Sequence, residues 1–392
     1  MADKGTIIYI GGFELPDKNA AAHRVINNGK IFRDLGYNVV FVGIDKSLKA
    51  NSNIIGTREI IQGFETWSLP YPEKISEWTK YLIDINALKS VFNMYDNICL
   101  VVAYNYQAIA LNRIKSFCKK RNCKIIADCT EWYSTKGTGL IYKIVKGMDS
   151  FLRMRIIQKK LDGLIVISSY LEKYYKEHDI VITVPPLVDL EEKKWELSTD
   201  KNDCDKVKLV YSGSPGRNKD KINHVINILY EFRKSNSYVL EVVGITKEEY
   251  IREFPNHSEK VKILDANLIF NGRINHTKSL EILKAADACM FVREDNRTTK
   301  AGFPTKFVES ISCGIPVITT NTSDLRKYLN EGVNGYIIDE NLSYETKNLL
   351  NNLLVIDPKN IKAIKNNGII DRRVFHYKNF EKIFSEFMEK IF

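Results

Sequence analysis

Short apolar runs alternate with longer periodic segments along the first half of the chain. The runs are rich in Ile and Val and lack alternating polar positions, which is typical of strands buried on both faces. The segments between them, such as 20–35 and 106–120, have helical periodicity. This order predicts a doubly wound parallel sheet. We expect its strands at 6–10, 38–43, 98–102, 124–127 and 164–167.

The alternation stops at 185–206, where two prolines precede a run of Glu, Lys and Asp with little apolar content. Such a composition is typical of a linker. A second alternating set follows, and an amphipathic helix at 380–392 ends the chain. Its strands are expected at 208–211, 238–243, 268–271, 288–292, 316–319 and 335–338. The pattern therefore predicts an α/β protein with an N-terminal domain at 1–186, a linker at 187–206, a second domain at 207–376 and a C-terminal helix at 377–392.

The two predicted domains are both Rossmann-like, and 392 residues suit two cores. In open α/β sheets, ligands bind at the carboxyl ends of the strands. Two such domains facing across a cleft would hold a donor on one side and an acceptor on the other. The C-terminal helix can then cross back to the N-terminal domain.

Composition narrows the class of protein. The chain has 44% hydrophobic and 27% charged residues, no apolar run of about 20 residues and no signal-peptide pattern. We expect a cytoplasmic protein. Seven cysteines, without a Cys-x-x-Cys pair, predict thiols and no metal site. The net charge of +10 is compatible with nucleic acid, an anionic membrane or phosphorylated substrates, but no nucleic-acid motif is present.

A glycine-rich turn follows the first strand of the second domain. Gly213 lies in this turn, and Arg217 and Lys219 follow it closely. A strand, a glycine turn and basic residues at a helix start can bind phosphate, because backbone N–H groups and positive charge favour an anion. The alternative is a polar turn with surface lysines.

Two further segments of this domain carry candidate chemistry. Arg293 follows strand 288–292 directly and could meet a diphosphate or form a structural salt bridge. In the segment 301–310, Thr305 lies at the predicted helix start and Lys306 adds charge. Glu309 lies four residues after Thr305 on the same face, where it could accept hydrogen bonds from a ribose diol. A surface helix with an exposed Glu is the alternative.

Polar residues also follow strands of the first domain. Gly12, after the first strand, would let backbone approach a sugar or phosphate closely. We expect the residues that follow these strands to orient the acceptor hydroxyl, although a satisfied polar loop would carry the same residue types. They are Asn19, His23 and Arg24 after the first strand, and Asp128, Glu131 and Trp132 after the strand at 124–127.

The loop 213–219, the turn 270–274 and the segment 302–309 together resemble the retaining family-4 glycosyltransferases of GT-B fold. The last segment is similar to the subgroup that builds bacterial surface polysaccharides. The resemblance implies transfer of a sugar from a nucleotide-sugar donor to a glycan or lipid-linked saccharide. For the donor site it implies Lys219 and Arg217 at the diphosphate, Gly272, Arg273 and Ile274 at the base, Gly302, Phe303, Thr305 and Lys306 near the phosphates, and Glu309 at the ribose.

The resemblance further implies front-face attack, in which the leaving diphosphate helps to take the acceptor's proton. No protein nucleophile is then required, and Lys219 stabilises charge. The chain's Asp-x-Asp tripeptide, Asp203-Cys204-Asp205, lies in the predicted linker and no such signature follows a predicted strand, so we expect no metal. We also expect no cofactor, because the nucleotide sugar is a substrate.

The sequence departs from the family pattern at two positions. Ala301 stands where the family has the first of two paired glutamates. Ser214 stands where the family has an arginine after the loop glycine. Two alternatives therefore stay open. One is a non-catalytic partner subunit of the same fold. The other is a nucleotide-sugar epimerase, which would use acidic residues such as Asp128 and Glu131.

Segment 136–160 mixes apolar residues with seven Lys and Arg. A basic amphipathic helix can lie on an anionic leaflet. The sequence therefore predicts peripheral association with the inner membrane face, and a core-facing helix with a solvated basic face is the alternative.

Overall fold

The structure, a computed structural model, describes residues 4–133, 139–197, 206–213, 220–366 and 370–392. The chain forms two compact units. The first unit contains Met1–Leu187 together with Tyr377–Phe392, and the second contains Val188–His376.

An eight-stranded sheet forms the centre of the first unit, in the order β3-β4-β2-β1-β5-β6-β7-β8. All neighbouring pairs are parallel except β3 and β4. The chain passes from β1 to β2 on one side and later to β5 on the other, so the winding reverses between β1 and β5. The strands are β1 Thr6–Gly11, β2 Asn38–Asp45, β3 Glu59–Ile61, β4 Phe64–Pro70, β5 Ile98–Tyr104, β6 Lys124–Cys129, β7 Gly163–Val166 and β8 Val181–Thr183.

Helices cover this sheet and bury its Ile- and Val-rich strands. The last helix packs against the first, where the rings of Phe32 and Phe384 lie 5.2 Å apart. The C-terminal helix thus belongs to the N-terminal unit, as expected. The helices are α1 Ala20–Asp34, α2 Ile75–Ile83, α3 Asn86–Phe92, α4 Ala108–Lys120, α5 Leu140–Leu152, α6 Ser169–Tyr174 and, at the end of the chain, α15 Glu381–Ile391.

A six-stranded parallel sheet forms the centre of the second unit, in the order β11-β10-β9-β12-β13-β14. Relative to the first strand of the unit, this is the 3-2-1-4-5-6 order of dinucleotide-binding folds. The winding reverses between β9 and β12. The strands are β9 Val207–Ser212, β10 Tyr238–Val243, β11 Leu268–Gly272, β12 Ala288–Phe291, β13 Val317–Thr319 and β14 Gly335–Ile337.

Eight α-helices accompany this sheet in the described part of the unit. They are α7 Ile222–Tyr230, α8 Lys247–Glu253, α9 Ser258–Ile263, α10 His276–Ala285, α11 Arg297–Ala301, α12 Thr305–Ser312, α13 Tyr344–Asn351 and α14 Lys359–Asn366.

Every strand expected from the sequence is present within about two residues, but β3, β4 and β8 were missed. The antiparallel pair β3 and β4 carries Glu and Thr among its apolar residues and is only partly buried. Continuous apolar runs are typical of central parallel strands and not of such an edge. The segment 188–206, expected to be a linker, is grouped with the second unit, and Trp195 within it is 3% exposed.

Candidate functional site

Candidate residues lie at the reversal point of the second sheet, between β9 and β12, where the winding of the sheet reverses. Gly213 follows β9 with φ +116°, a conformation that favours glycine, and Arg293 follows β12 two residues after its end. In open parallel sheets, ligands bind in a crevice at the reversal point. The crevice forms because the loops after the two neighbouring strands run to opposite faces of the sheet. The structure thus brings together two sequence-predicted donor residues that lie 80 positions apart.

Asp220 links two cations at this point. Its Oδ1 lies 3.0 Å from Arg293 Nε, and its Oδ2 lies 3.0 Å from Lys306 Nζ. The side chains of Arg293 and Lys306 are only 4% and 8% exposed. Two positive groups share one carboxylate, so the cluster keeps a net positive charge, which favours an anion nearby.

Lys306 lies beside Gly213, the residue that follows β9. Its Nζ is 3.9 Å from the centre of the Tyr211 ring and 3.7 Å from the position that a Cβ on Gly213 would occupy. Burial lowers the pKa of Lys306, but the combined effects of Asp220, Tyr211 and Cys289 outweigh burial and raise the pKa above its ordinary value. Lys306 therefore stays charged beside Gly213.

Arg293 has capacity for a further partner. Burial lowers the pKa of its guanidinium, and Asp220 offsets this only in part. Its Nη1 is buried and has no hydrogen-bond partner among the residues that the structure describes. An unsatisfied buried donor is unfavourable, and an anionic ligand or a bound water would relieve it.

Glu309 projects from α12 and pairs with His276 at the start of α10, with Oε1 and Nε2 3.2 Å apart. Their side chains are 20% and 16% exposed, so the carboxylate remains partly accessible. Thr305, the first residue of α12, is half-buried, and no side chain caps this helix start. The start of α12 and Glu309 therefore leave polar groups for a nucleotide to contact.

The other predicted donor residues differ in accessibility. Arg273 is exposed and pairs with Glu249 at 2.6 Å, and Ile274 beside it is half-buried. Gly302 and Phe303 are buried, and the Phe303 ring packs against the aromatic rings of Phe307, Tyr328 and Phe375. This packing gives Phe303 a place in the core of the unit and not at a ligand.

Three residues of the predicted phosphate-binding loop, Ser214, Arg217 and Lys219, lie outside the described residues. Ala301, at the position of the first family glutamate, is fully buried at the end of α11.

In the first unit, Asp128 and Arg24 form a buried ion pair instead of an accessible acceptor site. Arg24 Nη2 lies 2.8 Å from Asp128 Oδ1, and Nη1 donates to the carbonyls of Val184 and Pro185. Tyr9 donates its hydroxyl to Asp128 Oδ2 at 2.5 Å. Asp128 is 0% exposed and Arg24 3%. These contacts contradict the predicted role of Asp128 and Arg24 in orienting the acceptor hydroxyl, because all three guanidinium nitrogens of Arg24 and both carboxylate oxygens of Asp128 are taken up by buried partners.

The remaining acceptor-side candidates lie nearer the surface. Asn19 caps α1, since its Oδ1 accepts the N–H of Ala22 at 2.9 Å. His23 and Glu131 are half-buried, and Gly12 is exposed. Trp132 is half-buried, and its ring packs edge-on against those of two tyrosines of α6, Tyr170 and Tyr174.

Sequence reasoning gave no role to Asp220 and did not consider His276. An acidic residue directly after a basic glycine-rich loop was the available signal for Asp220. Its partners are 73 and 86 positions away, so only the fold reveals the cluster. For His276 no local signal existed. Within the described residues, no group of three or more His, Cys, Asp or Glu side chains could hold a metal ion. No helix in the same part of the chain is long and apolar enough to cross a membrane.

Comparisons with known proteins give a family match for part of the chain and a likeness of fold for the whole chain. Residues 193–370 match the family model described as Glycosyl transferases group 1. A search of curated proteins found no significant match.

Solved structures resemble the whole chain at low sequence identity. Sucrose-phosphate synthase from Thermosynechococcus elongatus has a TM-score of 0.72 at 17% identity, covering 99% of both chains. HepE from Anabaena, solved in complex with UDP-glucose, has a TM-score of 0.66 at 14% identity, covering 98% of this chain and 99% of its own. The catalytic domain of starch synthase IV from Arabidopsis thaliana, bound to ADP and acarbose, has a TM-score of 0.69 at 10% identity and covers 99% of both chains.

These likenesses show the fold, and the family match lies entirely within the unit that carries the Asp220 cluster. The protein thus has the two Rossmann-like domains of GT-B glycosyltransferases, and residues 193–370 within it match glycosyl transferases group 1.

Proposed function

We propose that this protein is a retaining, metal-independent glycosyltransferase that moves a sugar from a nucleotide-sugar donor to a glycan or lipid-linked saccharide. We further propose that the transfer serves cell-surface polysaccharide biosynthesis. The observation that carries the proposal is the positive Asp220 cluster at the reversal point of the second sheet, inside the segment that matches the family. HepE, a structural neighbour, was solved with UDP-glucose, which supports a donor of this class.

The chemistry asks the protein to position the donor and to stabilise charge on the departing diphosphate. Lys306 and Arg293 supply positive charge beside Gly213, and we propose that Glu309 accepts hydrogen bonds from the ribose. Groups fixed in a buried site stabilise developing charge better than water does, because they need not reorient. We propose that this field takes the place of a metal ion, and that Arg217 and Lys219 add to it.

A thermal-shift panel tests the donor site. UDP, GDP, dTDP, CMP and ADP, each with its common sugar conjugates, are added at millimolar concentration in EDTA. A ligand that binds only the native protein raises the unfolding midpoint by mass action. We expect one base to stabilise the protein and Glu309→Ala to remove the shift. The matched control is Glu281→Ala, an exposed glutamate on α10, which should keep it.

The other outcomes of this panel have defined meanings. If no nucleotide raises the midpoint, the protein is not a transferase of this kind, and the non-catalytic partner subunit takes its place. A shift that appears only with added Mg²⁺ would contradict metal independence.

Retention of configuration needs a test of its own. The anomer released by slow hydrolysis of the nucleotide sugar can be read by proton NMR before it mutarotates. We expect the anomer of the donor, and the opposite anomer would show an inverting enzyme.

We propose that helix α5 brings the enzyme to an anionic membrane surface, where a lipid-linked acceptor would lie. The apolar side chains of Ile144, Val145, Met148 and Phe151 are 49–60% exposed, whereas a core-facing helix would bury them. Lys143 is exposed on the same helix, and Arg155 follows it closely. An apolar face flanked by cations suits a leaflet of anionic lipid.

Co-sedimentation with vesicles of anionic phospholipid at low salt tests this surface. We expect wild type to be retained, Met148→Glu with Phe151→Glu to stay in solution, and high salt to weaken binding. Ile263→Glu is the control, because Ile263 is 52% exposed in the second unit. Vesicles that fail to retain wild type at low salt would exclude the membrane role.

A further inference from the structure

A cavity of about 150 Å³ lies in the first unit beside the carboxyl ends of its strands. Leu69 and Pro70, at the end of β4, form one wall, and Tyr106, just after β5, forms another. Nothing in the donor chemistry uses these residues. The cavity is open to solvent at a rim that includes the exposed Lys80.

Its position coincides with the reversal point of the first sheet. The winding reverses between β1 and β5, and Gly12 and Tyr106 follow these two strands. The hydroxyl of Tyr81, in the cavity wall, lies 3.9 Å from the place where a Cβ on Gly12 would be. The cavity is therefore in the crevice where an open parallel sheet binds its ligand.

The walls are aromatic. Tyr71, Tyr81 and Tyr106 line the cavity, and Trp78 supports it, with its ring 5.4 Å from that of Tyr71 and 5.8 Å from that of Tyr81. Packed aromatic rings that carry hydroxyls offer a flat apolar surface with a polar edge.

Polar groups surround this surface. Ser52 and Asp84 line the cavity together with Lys80. Ser52 and Asp84 are half-buried and Lys80 is exposed, so these polar groups can bond the hydroxyls of a ligand at the edge of the cavity. A sugar ring has the matching chemistry, since its C–H faces pack on aromatic rings and its hydroxyls bond polar groups at the edge.

Size limits the occupant. Pockets for drug-sized ligands measure about 300–1,000 Å³, and a cavity of about 150 Å³ holds a single six-membered ring such as benzene. The cavity therefore has room for one ring and not for an oligosaccharide.

We propose that this cavity is the subsite for one pyranose ring of the acceptor saccharide. The proposal rests on the proposed glycosyl transfer and adds where the acceptor binds. The rest of the acceptor would leave the cavity past Lys80 and Asp84.

Saturation-transfer NMR on the full chain tests the subsite. The probes are methyl glycosides of glucose, galactose, mannose and N-acetylglucosamine, with 1-octanol as an apolar probe. Ala87→Phe places a ring inside the cavity, since Ala87 lines it from α3. Ala363→Phe is the matched control, a half-buried alanine on α14 of the second unit. Tyr81→Phe removes one wall hydroxyl without removing the ring.

We expect at least one glycoside to receive saturation from wild type and Ala363→Phe, to lose it with Ala87→Phe, and to bind more weakly to Tyr81→Phe. The subsite is refuted if no glycoside gives a signal, if the signal survives Ala87→Phe, or if only 1-octanol enters the cavity. The thermal shift with nucleotides separates the two proposals. A nucleotide shift without a glycoside signal refutes the subsite alone, whereas absence of the nucleotide shift refutes the proposed function.

Discussion

At the residue scale, Asp220 shows how one side chain can hold a site together without being recognisable in the sequence. It pairs with two cations, Lys306 beside Gly213 and Arg293 after the neighbouring strand β12, and offsets only part of their charge. Gly213 and Asp220 both lie close to Lys306. A change at Asp220 should therefore affect both stability and donor binding.

We predict that Asp220→Asn lowers the free energy of unfolding by about 3–5 kcal/mol, because it leaves two buried cations without their carboxylate. Urea denaturation measures this. Asp295→Asn is the control, since the Lys300–Asp295 pair has the same 3.0 Å separation but exposed partners. It should cost less than about 1 kcal/mol. Equal effects for the two variants would show that burial of the cluster does not matter.

At the element scale, Asn19 has a structural role in helix α1 that is an alternative to its predicted acceptor role. The Asn19 side chain caps the helix by accepting the N–H of Ala22 in the first turn. Asn19→Ala should destabilise the protein by about 1 kcal/mol. Asn19→Ser keeps a capping oxygen and should retain both stability and transfer activity. If Asn19→Ser folds stably but loses activity, the amide contacts the acceptor and the original prediction is right.

Helix α15 is the second element whose role depends on distant residues. Phe384, Phe387, Met388 and Ile391 are all at most 4% exposed in the core of the first unit. A Cβ on Gly163 of β7 would lie 2.5 Å from Ile391, so this strand must present a glycine where the helix crosses.

Phe384→Ala should therefore lower the free energy of unfolding by about 3–5 kcal/mol, through lost burial and a cavity. Chemical denaturation followed by circular dichroism would measure it. Phe392→Ala, at the end of the same helix, is matched in chemistry, but Phe392 is 60% exposed. The control should change stability by about 0.5 kcal/mol or less. A small effect at Phe384 would mean that the helix is not part of this core.

At the scale of the whole molecule, the tyrosines make stability sensitive to alkali. The chain has 20 tyrosines. Burial raises the pKa of Tyr81 and Tyr95 to about 12, and burial also raises the pKa of Tyr9, Tyr106 and Tyr250. Phenols ionise at about 10 in an unfolded chain. The folded state thus keeps protons that the unfolded state loses.

We therefore predict that the tyrosine contribution to stability is complete below about pH 10 and is lost as the pH rises towards 12. The urea midpoint, measured across this range, should fall steadily. Tyr81→Phe removes one such group and should make the fall shallower. A midpoint that stays constant through this range would contradict the buried state of these phenols.

Much of the fold could be predicted, because central parallel strands are continuous apolar runs and leave a local pattern. The edge strand β3 and its neighbour β4 leave none, since both are only partly buried. Among the site residues, Gly213 and Glu309 were predicted from turn and helix chemistry that acts within a few residues. Asp128 and Arg24 were predicted to lie at the surface beyond strands, whereas Asp128 lies within β6, Arg24 lies within α1, and both point into the core.

The sequence by itself determined the two-unit α/β architecture, the glycine turn and the family resemblance, since each depends on neighbours along the chain. Only the tertiary structure decided which charged residues meet. It paired Arg24 with Asp128 across 104 positions and joined Asp220 to Lys306, and it assembled the tyrosine-lined cavity from β4, α2, α3 and the residues after β5. These contacts join residues that are far apart in the sequence. Local sequence patterns do not specify the distances between such residues.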